Sequence, residues 1–206
     1  MLDNFDIIKP LLTFENENDF YFLQILQRKK DHPEGTVVGS NNSSRLIKSY
    51  NIFSISQLDK YKKEIIMLCE LFEARAGINL NKRNSKVLAL KMISDIATYL
   101  ECNHTNSIGS LWNEVCGKHQ HSADRRWIID IDREDSESDN EFDSHISNIS
   151  GFICNCQPIG NDKIITNIPS KSGVHLITKP FNTREFKDQY PEIDIHKNNP
   201  TNLYIP

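Results

Sequence analysis

The chain has 206 residues, with 24 Lys and Arg against 28 Asp and Glu, for a formal net charge of −4. At 38% hydrophobic and 25% charged residues it is too apolar for a disordered chain, and its length suits one domain or two small lobes sharing a core. No apolar run reaches the ~18 residues of a membrane span, the stretch Met1 to Asp6 is acidic and unlike a signal peptide, and five cysteines, an odd number, read as reduced thiols in a cytoplasmic protein with no membrane partner.

Taken in chain order, Asn18 to Lys30 carries Phe20, Phe22, Leu23, Ile25 and Leu26 and ends in three basic residues, which predicts an amphipathic helix with cations at its C-terminus. Asp31 to Gly35 reads as a turn. Thr36 to Val38 and Arg45 to Phe53 read as strands around the polar loop Asn41 to Ser44. A second helix is expected over Lys60 to Phe72, a short strand over Arg75 to Leu80 and a third helix over Lys86 to Leu100. The first part, residues 1–120, is therefore expected to be an α/β lobe, with the boundary near Asn103 to Asp124.

The second part, residues 121–206, follows a different order. Strands are expected at Trp127 to Asp132, Lys163 to Ile168 and Val174 to Thr178, and again at Glu192 to His196 and Asn202 to Ile205. Helices are expected at Asp143 to Cys154 and at Thr183 to Gln189, the latter capped by Asn182 or Thr183. The order β-α-β-β-α-β is that of a split βαβ, ferredoxin-like unit, so the expected fold class is α+β. Such a palm serves nucleotidyl transfer and plain RNA binding alike, and fold alone does not choose between them.

Charge is concentrated in one place. Asp130 to Asp143 holds eight acids and one base, a net −7 that leaves +3 for the rest of the chain. A run of this kind is most often a solvated loop. Its first two members are different. In Trp127-Ile128-Ile129-Asp130-Ile131-Asp132 the carboxylates alternate with Ile, and side chains two apart on a strand share a face. Paired carboxylates on a rigid strand suit Mg²⁺ or Mn²⁺, which take one or two carboxylates plus substrate phosphates. The stretch Ser170-Lys171-Ser172-Gly173-Val174-His175 brings hydroxyls, a glycine and a lysine into a strand. Small residues let backbone N–H groups approach phosphate oxygens, while Lys171, His175 and the later Lys179 add positive charge. In the split βαβ order the His175 strand lies antiparallel to the one bearing Asp130 and Asp132. Asp194, in Ile193-Asp194-Ile195-His196, would add a third carboxylate from the last palm strand and complete a two-ion site for in-line phosphoryl chemistry.

Taken together, Ile128-Ile129-Asp130-Ile131-Asp132, the Ser172-Gly173-Val174-His175 turn and Ile193-Asp194 resemble the three motifs of the archaeo-eukaryotic primase superfamily. That superfamily includes primase-polymerases and small primase-like proteins of phages and mobile elements. The resemblance implies that Asp130, Asp132 and Asp194 are the catalytic carboxylates and hold two Mg²⁺ or Mn²⁺ ions, and that Ser172 and His175 hold the incoming triphosphate. It also implies an N-terminal α/β lobe packed on an RRM-like palm. The implied partners are nucleoside triphosphates, a single-stranded DNA or RNA template and replication proteins.

Two other readings stay open: a metal-dependent nuclease using the same carboxylates, and a non-catalytic nucleic-acid-binding module. The module would show exposed aromatics on its central strands, where this chain has Asp, Asp and His. Arg75 could touch template or phosphate. Cys102, His104, Cys116, His119 and His121 have the side chains of a zinc site, but their spacing matches no standard finger and zinc is not expected. Cys154 and Cys156 read as buried thiols.

Overall fold

The computed structural model describes residues 1–31, 44–103, 105–119 and 124–206. The strands are β1 (Leu2–Asp3), β2 (Asp19–Arg28), β3 (Ser44–Ile52), β4 (Arg75–Ile78), β5 (Arg83–Asn84), β6 (Trp127–Asp132), β7 (Ile164–Pro169), β8 (Gly173–Thr178), β9 (Asp194–His196) and β10 (Thr201–Ile205). The α-helices are α1 (Phe5–Ile8), α2 (Ile55–Leu71), α3 (Ser85–Glu101), α4 (Leu111–Lys118), α5 (Asp139–Asn155) and α6 (Thr183–Gln189). This is a mixed α+β fold with two antiparallel sheets, of the class the sequence predicts. Among the described residues no helix is long and apolar enough to cross a membrane.

The first sheet runs β1-β10-β4-β2-β3, with β5 also paired to β2. Its longest strand, β2, occupies the segment expected to be a helix, residues 18–30. The reason is burial on both faces. Tyr21, Leu23 and Ile25 enter the main core with Leu58, Ile65 and Cys69 of α2, while Phe20 and Phe22 pack with Leu88 of α3 and Leu111 and Val115 of α4. A strand covered on both sides shows a continuous apolar run in place of clean alternation. The expected strand at Thr36 to Val38 and most of its neighbouring loop lie outside the described residues.

The helices begin where a side chain can take the first free N–H groups. The Ser54 hydroxyl accepts from the Gln57 amide at 3.1 Å, so α2 starts five residues ahead of Lys60. The Asn84 side chain accepts from Val87 at the start of α3 and Asn182 from Arg184 at the start of α6. At α5, Ser138 and Glu141 form a reciprocal capping box, and Asp139 and Glu141 occupy the first turn. These two members of the acidic run are thereby explained, because carboxylates at a helix N-terminus oppose its positive dipole end. The other end of α5 is closed by Lys163. Its buried ammonium donates to the carbonyls of Ile153 at 2.5 Å and Cys154 at 3.2 Å, and also to that of Cys156.

The second sheet has the order β7-β8-β6-β9. Ile129 and Ile131 of β6 and Leu176 of β8 pack against Phe142, Ile149 and Phe186 of α5 and α6. Ile128, Ile168 and Ile177 belong to the core of the first sheet. The last strand, β10, pairs with β1 and β4, so the second half of the chain supplies both sheets. Leu203 sits in the shared core, and that apolar burial brings the C-terminus back to the first sheet.

Buried polar side chains stitch the halves together. The Asn4 amide donates to the carbonyls of Pro169 and Asn202, both at 2.9 Å. Asn81 donates to those of Arg126 and Lys197 and accepts from the Arg126 amide. Arg83 is fully buried, and its guanidinium donates to the Cys116 carbonyl and the Asn198 side chain, both at 3.0 Å, and to the Asn81 carbonyl. Burial pulls its pKa down to about 10, which still leaves it charged at neutral pH.

Candidate active site

β6 positions the two carboxylates. Its even-numbered residues point away from the α5 and α6 core, so Asp130 and Asp132 share the face that looks toward the first sheet. In the β6–β8 ladder Asp130 stands opposite His175 and Asp132 opposite Gly173. Directly opposed residues on paired strands present their side chains to the same face. Nε2 of His175 lies 3.4 Å from Oδ1 of Asp130.

Between β7 and β8 the chain reverses through Ser170-Lys171-Ser172, and the Ser170 amide donates to the Gly173 carbonyl at 2.8 Å. The turn is pinned to the end of β6. The Arg133 amide donates to the Ser172 carbonyl at 2.8 Å, and the Ser172 hydroxyl donates to Oδ1 of Asp132. Such close approach requires glycine at 173, where a Cβ would overlap the Ile131 carbonyl oxygen.

His175 is held from behind by the first sheet. Its Nδ1 lies 2.9 Å from the hydroxyl of Thr201, a buried residue of β10. Burial pushes the His175 imidazole below its usual pKa, against the opposing pull of Asp130. The ring is therefore neutral at physiological pH and does not cancel the Asp130 charge.

A cavity of about 630 Å³ opens over these residues. Asp130, Asp132, Ser170, Ser172 and His175 line it from the second sheet. Arg28, Lys29 and Arg75 line it from the first, and Lys171 reaches it from the turn. The Ser170 hydroxyl oxygen is buried without a hydrogen-bond partner among the described residues.

The remaining sequence-predicted residues are not part of the cavity lining. Asp194 is the register partner of Asp130 across β6–β9, but it is exposed and is not part of the cavity lining. Lys179 follows the far end of β8, where it pairs with Asp162 at 2.6 Å away from the cavity, because the strand runs from Gly173 to Thr178 before reaching it. Cys116 is buried beside Phe20 and Phe22, and that burial raises its thiol pKa to about 12, the behaviour of a packing residue. Cys102 is exposed, and His104 and His121 lie outside the described residues.

Sequence reasoning passed over His196, Asn199 and Thr201. His196 lines the cavity with Nε2 3.9 Å from Oδ2 of Asp130, and the Asn199 side chain lies 3.1 Å from its Nδ1. Its two-residue spacing from Asp194 was the available signal, since i and i+2 on a strand share a face.

The donor set suits a hard divalent ion. Among the described residues no three Cys, His, Asp or Glu side chains form a cage for a metal. Two carboxylates on one strand, open to a cavity, match the habit of Mg²⁺, which completes its shell with water and substrate oxygens. Compared with known protein families, with curated proteins and with solved structures, the chain matches none of them.

Proposed function

We propose that the protein is a metal-dependent nucleotidyltransferase of primase-polymerase type, which joins nucleoside triphosphates on a single-stranded nucleic-acid template. One observation carries this reading. Asp130 and Asp132 share a cavity with Arg28, Lys29, Arg75 and Lys171, and His175 stands in register with Asp130. Carboxylates alone repel a triphosphate, and basic residues alone would bind one without a metal. Both together suit a triphosphate that arrives with divalent cations. The order β6-α5-β7-β8-α6-β9, with the Asp and His strands paired at the centre of the sheet, supports the palm that the primase resemblance implies.

In this reading Asp130 and Asp132 hold two Mg²⁺ or Mn²⁺ ions. Bound there, the ions would supply a lowered pKa for the attacking 3′-hydroxyl and offset charge on the transferring phosphoryl group. The Ser172 hydroxyl turns from Asp132 to a phosphate oxygen. His175, fixed by Thr201, donates to another, and Lys171 and Arg75 offset the charge of the leaving pyrophosphate. The bond from the 3′-oxygen to the α-phosphorus forms as the α–β bridge bond breaks.

The test is incubation with labelled nucleotides, a single-stranded template and Mn²⁺ or Mg²⁺. Wild type is expected to make divalent-dependent primer products, and Asp130→Asn with Asp132→Asn to make none. Thermal melts supply the binding arm, because ligands that bind only the folded state raise its melting temperature. The double variant is expected to fold and to lose that gain. An equal gain in both proteins would remove these carboxylates from the site. Shortened template without new product would replace polymerisation with hydrolysis.

A further inference from the structure

Asp31 ends the short turn that follows β2, and its carboxylate is the meeting point of two cations from different sheets. Arg75, from β4, donates to its Oδ1, and the Lys171 ammonium, from the β7–β8 turn, lies 3.7 Å from the same oxygen. Both cations line the cavity, whereas Asp31 does not. The Arg75 and Asp31 side chains are only 13% and 12% exposed, and Lys171 is 62% exposed. Oδ2 of Asp31 is buried with no hydrogen-bond partner among the described residues.

A single carboxylate is a poor match for this pair. A guanidinium presents a planar fork and an ammonium three further donors, while here one oxygen accepts from Arg75 with the Lys171 ammonium 3.7 Å away, and the other oxygen has no partner among the described residues. A terminal phosphoryl group carries more charge and three acceptor oxygens, enough for both cations at once. The other cavity-lining cations, Arg28 and Lys29, come from the end of β2 and the turn that carries Asp31. The surroundings therefore favour a polyanion over a monovalent carboxylate.

We propose that Arg75 and Lys171 form a clamp for the terminal phosphoryl groups of a triphosphate, and that the Asp31 carboxylate fills this clamp until the ligand displaces it. The identity of the ligand as a nucleotide rests on the polymerase reading above; the clamp itself needs only a polyphosphate. Asp31 then acts as an internal competitor, lowering apparent affinity by the fraction of molecules in which the clamp is free. It also keeps two cations from standing unpaired beside one another when the cavity is empty.

The experiment is calorimetric titration of the full chain with inorganic tripolyphosphate in EDTA, so that no metal contributes. Asp31→Asn is expected to bind about tenfold more tightly than wild type, because the competitor is neutralised. Arg75→Gln and Lys171→Gln are each expected to bind about tenfold more weakly, as a charge-assisted contact is lost. If Arg75→Gln does not fold, the exposed Lys171 and the Asp31 variant carry the test. Equal or weaker binding by Asp31→Asn would overturn the proposal and leave Asp31 as a structural partner of Arg75. The two readings fail separately. Polyphosphate affinities with these signs, in a protein that makes no primers, keep the clamp and discard the polymerase. Primer synthesis with an Asp31→Asn affinity equal to wild type does the reverse.

Discussion

Gly173→Ala tests the geometry on which the site depends. Gly173 faces Asp132 in the β6–β8 ladder, and a Cβ at this position would overlap the Ile131 carbonyl oxygen and lie 3.0 Å from the Asp132 Cα. Both obstacles are main chain, so no rotamer change relieves them and β8 must move away from β6. Overpacking costs about 1–3 kcal/mol when side chains can share the strain. A backbone obstacle belongs at the upper end, and one weakened ladder hydrogen bond adds about 1 kcal/mol. About 4 kcal/mol in total corresponds to a fall of roughly 8–16 °C in melting temperature for a chain of this size. Gly151, an exposed position within α5 with nothing within 4 Å of its Cβ, is the control. Gly151→Ala is expected to stabilise by about 0.5–1 kcal/mol through helix propensity alone. Thermal and urea melts read both variants. A Gly173→Ala protein that melts within ~2 °C of wild type would refute the close approach of the strands, by the same conversion.

Lys163→Met removes the donor shared by the carbonyls of Ile153, Cys154 and Cys156, and a loss of about 2–3 kcal/mol is expected in urea melts; a neutral result would mean that water replaces the ammonium. Burial alone would raise the Asp19 pKa, but the amides of Glu15 and Asn16 and the Lys82 ammonium outweigh it and hold the carboxyl below its usual value. Wild type is therefore expected to exceed Asp19→Asn by about 1–2 kcal/mol near neutrality. That margin is lost as pH falls through the depressed native pKa, so the gap between the two stability curves should narrow progressively below pH ~4, and a gap that does not narrow on acidification would contradict the assignment. His196 lines the cavity and Asp194 does not. Accordingly, His196→Ala should reduce the melting-temperature gain from Mn²⁺ plus nucleotide more than Asp194→Asn does, and the opposite ranking would return the third position to Asp194.

Local signals carried most of the elements. α3 and α6 lie within a residue of their expected spans because each combines an apolar face with a polar cap. β2 was illegible for a tertiary reason. Its aromatics face two different cores, which erases the alternation of period two, and its basic C-terminal residues imitate the charge pattern of a helix end. Nothing local marks β10 as a strand of the first sheet either. Its place follows from Leu203 fitting the shared core and from the pairing of Leu2 with Ile205, contacts almost a full chain length apart in sequence.

The site divides along the same line. Parity within β6 was enough to place Asp130 and Asp132 together, and the β7–β8 hairpin keeps Ser172 with His175, but the two groups meet only through the pairing of β6 with β8, where Ser172 reaches Asp132 across 40 positions of chain, a relation that the split βαβ order supplies. Parity also set Asp194 beside Asp130, but parity fixes a face and not a depth, and β9 is an edge strand whose Asp194 stays in solvent while His196 turns into the cavity. Thr201 shows what no pattern along the chain could supply. It belongs to the first sheet, yet its hydroxyl meets the ring of His175 in the second. The histidine is therefore oriented by the same return of the chain that closes the first sheet, and the carboxylates of one sheet meet the cations of the other only once that strand is in place. A site assembled this way forms with the fold as a whole, since the second sheet sets Lys171 alone of the basic lining residues beside its carboxylates, while Arg28 and Arg75 come from the first.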